Sequence, residues 1–438
     1  MSQDALLYAA PVRTETKLAE DTFLTDDFLR QLINVGEVDI LVGLPTHNNA
    51  KTIGTIVQAI QSGILRWFPR ERVVIINADG GSRDGTPELV TGISIDDVRR
   101  ASNLNSLRTL HSISTKYASS PASSTAFRTI LAAAELLQAK ACVVMSPESC
   151  NVEGEWISKL LRPIRSEGFD LVTPTYRRHK FEGLLITNLL YPMTRAVYGL
   201  RIREPYAHEF AFSGRLGGQF LLQNNWDAGT EDGIELPFTL ATIAGQYRIS
   251  QSFLGQKENI EHRGADLVPA LRQTVGPLFS ALESDFHLWS EITGSQPLPT
   301  EGPDHEVLLD AMRINRKRLR DMFSSGVAEL ETVFHSILSP TTLAELQRVA
   351  RSGESDFHYS AELWVKTTYE FAASYHKSVI SRDHIIQALA PLFRGRALSF
   401  VLEHRNGSAE NVENSIETLC LEFERLKPYL LQMWKSRE

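Results

Sequence analysis

A chain of 438 residues, 42% of them hydrophobic, is long enough to build more than one core. Its 45 Lys and Arg against 53 Asp and Glu leave a net charge of -8, so it has no basic surface to offer a phosphate-rich polymer, and nucleic acid is not an expected partner. Cys142, Cys150 and Cys420 are an odd number without metal-ligand spacing, which argues against zinc or a disulfide framework and for buried thiols in a reducing compartment.

Residues 1–26 have no basic start followed by an apolar run, so a cytoplasmic protein is expected, opened by a helical arm over 1–34. Residues 39–44 (DILVGL) predict a strand that ends in Pro45 and a polar loop, with a helical pattern over 51–63. Residues 72–77 (RVVIIN) repeat the arrangement, with a Gly- and Asp-rich loop over 78–85. An Ala-rich helix over 125–139 precedes a third strand, 141–146 (ACVVMS), and 170–174 (DLVTP) predicts a fourth. Such alternation predicts an α/β fold, a largely parallel sheet covered by helices, with ligands beyond the carboxyl ends of the strands. The most apolar window, 181–200, is interrupted by Asn188, Pro192 and Arg195, which a membrane span of about 20 residues rarely accepts, so a buried helix is expected and no membrane partner. Strand signals fade after Gly276, and 295–304 (SQPLPTEGPD) read as a linker to a helical domain. There Ser381 caps a helix carrying Ile385, Leu389 and Leu392 that is expected to stop at Gly395. Val412, Ile416, Leu419, Phe423, Leu426 and Leu430 form one apolar face of a further helix of about 20 residues. The aromatic group Trp364, Tyr369, Phe371 and Tyr375 reads as packing between helices rather than a ligand pocket.

Two loops carry the chemistry. Residues 44–53 (LPTHNNAKTI) and 76–86 (INADGGSRDGT) each follow a strand. Asp, Gly and Ser also make ordinary turns, but together the two loops resemble family 2-like glycosyltransferases of the GT-A fold, a Rossmann-like sheet. The resemblance implies a nucleotide-sugar-binding domain over 35–275 and an α-helical C-terminal domain over 276–438. It places base and ribose on Pro45, Thr46, Asn48, Asp79, Gly80 and Gly81. An amide or carboxylate there accepts the imino hydrogen of a base, and glycines admit the backbone to the ligand. Residues 141–157, 188–216, 233–236 and 254–267 narrow the resemblance to the retaining branch that includes glucosyl-phosphoglycerate and mannosylglycerate synthases. Relatives of that branch often form homodimers.

Several positions depart from that pattern. The Asp-x-Asp that holds a divalent ion, Mg or Mn, on the diphosphate is replaced by Ser146-Pro147-Glu148, so Glu148 alone remains as ligand or as a ribose contact. The Gly-Lys-Gly loop becomes 120–126 (SPASSTA), leaving Ser123 as the phosphate contact and Lys116 upstream. Asn259 takes the metal-ligating histidine position, with His262 three residues on as a substitute ligand, while Lys257 is kept. The acceptor loop reads Glu204-Pro205-Tyr206-Ala207-His208-Glu209. The resemblance assigns Glu235 to the acceptor hydroxyl; Asp232, in Thr230-Glu231-Asp232, is the competing general base of an inverting route. Arg177 and Arg178 suit an acceptor carboxylate or phosphate, with His208, Glu209 and Lys257 completing the acceptor side, although a solvated basic loop reads equally well.

Two functions remain open on the sequence. One is transfer of glucose or mannose from a UDP- or GDP-hexose to a small acidic acceptor such as glycerate or phosphoglycerate, with retention. The other is a catalytically degenerate relative that serves as a nucleotide-binding or protein-interaction module, since three charge-handling positions have changed together.

Overall fold

The computed structural model describes residues 24–92, 109–116, 123–222, 233–258 and 267–436. Helix α1 (Asp26–Val35) leads into β1 (Ile40–Thr46), α2 (Ile53–Trp67), β2 (Arg72–Asp79), α3 (Thr86–Gly92) and β3 (Thr109–Lys116). There follow α4 (Ser123–Leu136), β4 (Ala141–Val144), α5 (Gly154–Glu167) and β5 (Leu171–His179). A π turn (Ile186–Leu190) runs into α6 (Tyr191–Tyr198), and then come β6 (Phe210–Ser213), α7 (Gly214–Leu222), α8 (Glu235–Ala244) and β7 (Ile249–Gln256).

The described strands form one sheet in the order β3-β2-β1-β4-β6-β5-β7-β8, where β8 is Thr300–Glu301; β9 (Glu306–Leu308) pairs with the far end of β5. Only β6 runs antiparallel among these pairings, so β1, β2, β3, β4, β5 and β7 all end on the same edge. The chain order reverses between β1 and β4, which opens a crevice at the carboxyl ends of these strands.

Both faces of the central strands are covered, and their side chains alternate between two apolar layers. Leu41, Val74, Ile76 and Cys142 point into one; Ile40, Val42, Ile75 and Val143 point into the other. Double coverage is why these strands read as unbroken β-branched runs. On one side α2 crosses α5 closely at Gly63 and Gly154, where a Cβ on Gly63 would sit well inside contact distance of the Gly154 carbonyl.

The remaining helices are α9 (Leu267–Ser284), α10 (Phe286–Trp289), α11 (Arg316–Glu329), α12 (Glu331–Ile337), α13 (Pro340–Arg351), α14 (Ala361–Lys377), α15 (Arg382–Glu403) and α16 (Ala409–Lys435). The boundary read at 275/276 falls inside α9, and 295–304, read as a linker, contributes β8, which pairs in parallel with β7. Ser381 caps α15 as expected, its hydroxyl accepting from the His384 amide. That helix does not stop at Gly395. The missing side chain there makes room for the Phe323 ring of α11, so the glycine serves packing and the helix runs on to Glu403. Trp364, Tyr369, Phe371 and Tyr375 are all buried in α14. In the 181–200 window the described helix is buried between sheet and helices. Among the described residues one helix, α15, is apolar and long enough to cross a membrane, and 83% of its apolar window is buried inside the fold. Cys142 and Cys420 are buried, whereas Cys150 is exposed.

Candidate functional site

The loops after β1 and β2 are tied together by their own side chains. Asp79 ends β2 fully buried, and its carboxylate accepts four hydrogen bonds: from the Gly81 and Ser82 amides (2.9 and 2.8 Å), the Ser82 hydroxyl (2.5 Å) and the Thr46 hydroxyl (3.1 Å). Thr46 also donates to Asn77. The Asn48 amide donates to the Ser82 hydroxyl (2.8 Å), and its side-chain oxygen accepts from the Arg83 amide (3.0 Å). The Gly81 and Ser82 amides and the Ser82 hydroxyl let Asp79 shape the loop, while the single Thr46 hydroxyl hydrogen is shared between Asp79 and the closer Asn77 oxygen. Asn48 holds a positive φ of 56° at the crossing of the two loops, a conformation that Asn tolerates better than most residues. Pro45, partly exposed, is paired in register with Ala78, and Gly80 and Gly81 are partly exposed on the same rim.

Beyond β4 the chain turns through Ser146, Pro147 and Glu148. Thr52 fastens this turn to the first loop by donating to the Pro147 carbonyl at 2.6 Å. Glu148 is exposed, and its amide donates to the Ser146 hydroxyl at 3.2 Å. No group of three His, Cys, Asp or Glu side chains able to hold a metal occurs among the described residues. One exposed carboxylate with no second His, Cys, Asp or Glu grouped beside it among the described residues does not by itself make a fitting divalent-cation site. His262, Asn259 and Asp232 lie outside the described residues; Ser123 opens α4, and Lys116 is exposed at the end of β3.

The acceptor-side residues split into two groups. The first is a buried ionic network. Glu209, fully buried, accepts from Ser149 (2.5 Å), Tyr176 (2.5 Å) and Lys257 (2.6 Å). Burial pushes the Glu209 carboxyl up, but the Lys257 charge and the three donors outweigh it and hold it down at about 2. Arg178 lies over the Tyr176 ring and makes a bidentate pair with Glu204 at 2.9 Å on both arms, while Arg177 pairs with Glu306 of β9. Arg177, Arg178, Glu209 and Lys257 therefore spend their charge on protein partners.

The second group gathers around Glu235. Glu235 is the first residue of α8; its side chain is 13% exposed and accepts from the Ile234 amide at 3.1 Å, with His208 Nδ1 3.6 Å away. Burial acts to raise the Glu235 carboxyl, yet His208 and the backbone amides lower it below its ordinary value, so it stays ionised. Tyr206 stacks edge-on against His208 with ring centroids 4.8 Å apart, and its phenol is pushed far up by burial and by the charges of Glu235 and Glu148. Glu148, Tyr206, His208 and Glu235 are thereby one neighbourhood drawn from three loops. Sequence reasoning missed Ser149, Tyr176 and Tyr206. Tyr206 was legible as the aromatic inside the 204–209 acceptor loop; Tyr176 was hidden in a strand that reads as core.

No family model matches the chain, and no curated protein matches it. Among solved structures it is similar to glucosyl-3-phosphoglycerate synthase from Mycobacterium tuberculosis. The complex of that enzyme with Mn2+, UDP and glucosyl-3-phosphoglycerate is 21% identical, over 59% of this chain and 84% of that one, with a TM-score of 0.39. Its complex with Mn2+, UDP-glucose and phosphoglyceric acid is 22% identical over the same shares, with a TM-score of 0.40. At these values the likeness establishes neither substrate nor reaction for this chain.

Proposed function

We propose that the chain is a glycosyltransferase that binds a nucleoside-diphosphate hexose on the rim formed by the β1, β2 and β4 loops and passes the hexose to a small acidic acceptor beside Glu235. The observation that carries this reading is an ionised, largely buried Glu235 next to His208 and Tyr206, with the charge of Glu148 from the β4 loop acting on the same phenol. Asp79 and Ser82 hold the two loops rigid, leaving Pro45, Asn48 and the glycine backbone to meet base and ribose. Glu235 accepts a hydrogen bond from the acceptor hydroxyl and fixes its direction of attack, and the nearby His208 ring holds that carboxylate in place. In the retaining route, the bond from the anomeric carbon to the diphosphate oxygen breaks, the bond to the acceptor oxygen forms on the same face, and the hydroxyl proton leaves with the diphosphate.

A second reading, a module that binds nucleotide without transfer, is favoured by the fate of Lys257. Its ammonium is 3% exposed and committed to Glu209, so it brings no charge to a departing diphosphate. The two readings separate on incubation with UDP- and GDP-glucose and -mannose, glycerate and phosphoglycerate, with and without Mg2+ or Mn2+. The transferase releases nucleoside diphosphate and forms a glycoside, and Glu235→Gln lowers turnover by about a hundredfold or more while nucleotide binding stays. Nucleotide binding without glycoside in any combination establishes the module instead.

A further inference from the structure

A cavity of about 210 Å3 lies at the seam where the sheet meets the C-terminal helices, with Arg201, Arg203, Asp304, His305, Glu413 and Glu417 on its wall. None of these residues belongs to the group around Glu235. Most of the charge on the wall is already cancelled. Arg203 Nη2 alone donates to both Glu413 oxygens at 2.8 Å, whereas the buried Arg195 grips Glu417 with both terminal nitrogens at 2.5 and 2.8 Å. His305, with a side chain only 7% exposed, is held neutral: burial first, then the Arg203 and Arg178 charges, push its ring down to about 2. Two opposite charges make no close ion pair among the described residues, although the Arg201 charge helps to hold the Glu417 carboxyl down. The Arg201 guanidinium donates only through Nε, to Ser295 at 3.2 Å, and its two terminal nitrogens have no partner among the described residues. Asp304 is exposed at the rim and likewise has no hydrogen-bond or ion-pair partner among them.

We propose that this cavity is a binding site for a small zwitterion of amino-acid size, its carboxylate on the unspent fork of Arg201 and its ammonium toward Asp304. A planar guanidinium with free terminal N–H groups matches a carboxylate bidentately. A simple anion would meet Glu413, Glu417 and Asp304, and a simple cation would meet Arg201 and Arg203; a ligand with both charges answers the wall as it stands. The volume falls below the roughly 300–1,000 Å3 of sites that take drug-sized molecules. Pro297 and Leu298, also on the wall, give a short apolar side chain somewhere to lie.

The test is titration of the full chain with L-alanine, L-serine and L-valine, and with acetate and methylammonium as single-charge controls, followed by calorimetry and saturation-transfer NMR. The expected result is saturable binding of at least one amino acid, with acetate and methylammonium at least tenfold weaker. Arg201→Gln and Asp304→Asn should each weaken that binding about tenfold, and Asp304→Asn should do so without lowering Tm, since that exposed side chain holds no hydrogen bond or ion pair among the described residues. Absence of amino-acid binding, acetate binding as tightly as the amino acid, or unchanged affinity in both variants would each overturn the proposal. The control comparison needs only the unmodified protein, so it stands even if a variant fails to fold.

Discussion

Glu209, next in sequence to His208, and Glu235 both stay ionised under burial, but for different reasons. Glu209 keeps its charge because the Lys257 ammonium is in direct contact at 2.6 Å, so each member of the pair is costly without the other. Glu209→Gln is expected to destabilise the protein by about 3–5 kcal/mol in a denaturant melt, because it strands a buried ammonium, and adding Lys257→Met should restore part of that loss. The same pair sets an acid limb. The Glu209 carboxyl lies near 2 in the folded chain against an ordinary 4.5, so its stabilisation is complete above about pH 4.5 and lost as pH falls from there toward 2. The Glu209→Gln/Lys257→Met chain should show a flatter fall in stability across that window; an unchanged acid limb would remove Glu209 from the account. How much of this was legible varied with chemistry. Glu204 and Glu209 stood out as charged residues of the 204–209 loop and Lys257 as the cation kept in 254–267, but sequence could not say whether they faced a substrate or one another. That depends on β5 and β7 lying side by side and β6 returning antiparallel, which is a matter of topology rather than local pattern.

At the scale of elements, strands β1, β2 and β4 were readable because burial on both faces demands unbroken apolar runs. The four-residue β6 and the polar-studded β3 and β7 carry too little periodicity to declare themselves. Glycine misled in one place and informed in another: Gly395 looked like a helix stop and is a packing notch. The notch between α2 and α5 has a functional side, because Gly154 opens α5 directly after the loop that carries Glu148 and Ser149. Gly63→Ala drives a methyl group into the Gly154 carbonyl, and backbone can yield only by moving the helix. An overpacking cost of about 1–3 kcal/mol is expected, seen as a lower denaturant midpoint. The accompanying shift of the 145–153 loop should change amide chemical shifts around Glu148 more than those around Asp304, on the far side of the sheet order. A variant as stable as the parent, with no perturbation of that loop, would mean the crossing has slack.

Over the whole molecule, the sheet and the C-terminal helices are joined by a seam of buried polar contacts as well as by apolar packing. Trp364 donates to the Asn188 carbonyl at 2.7 Å and Arg396 to the Asn188 side chain at 3.0 Å. Arg195 sits at the centre with its side chain entirely buried, reaching Glu417 and Glu424 of α16, whose side chains remain 44% and 17% exposed. This lopsided burial makes the pair asymmetric. Arg195→Met leaves carboxylates that still see water, whereas Glu417→Gln with Glu424→Gln leaves a guanidinium that does not. The double glutamate substitution should therefore cost more, in the range of about 3–5 kcal/mol for an uncompensated buried charge, and Arg195→Met clearly less. Denaturant melts of the two variants decide the order. If the seam also joins the two halves into one cooperative unit, the glutamate variant will separate into two transitions by tryptophan fluorescence and circular dichroism, since Trp364 and Trp434 report from the helices while Trp156 reports from the sheet. A single coincident transition would locate the coupling in the apolar core, where Phe279, Phe323 and Trp364 share one cluster with Leu41 and Cys142.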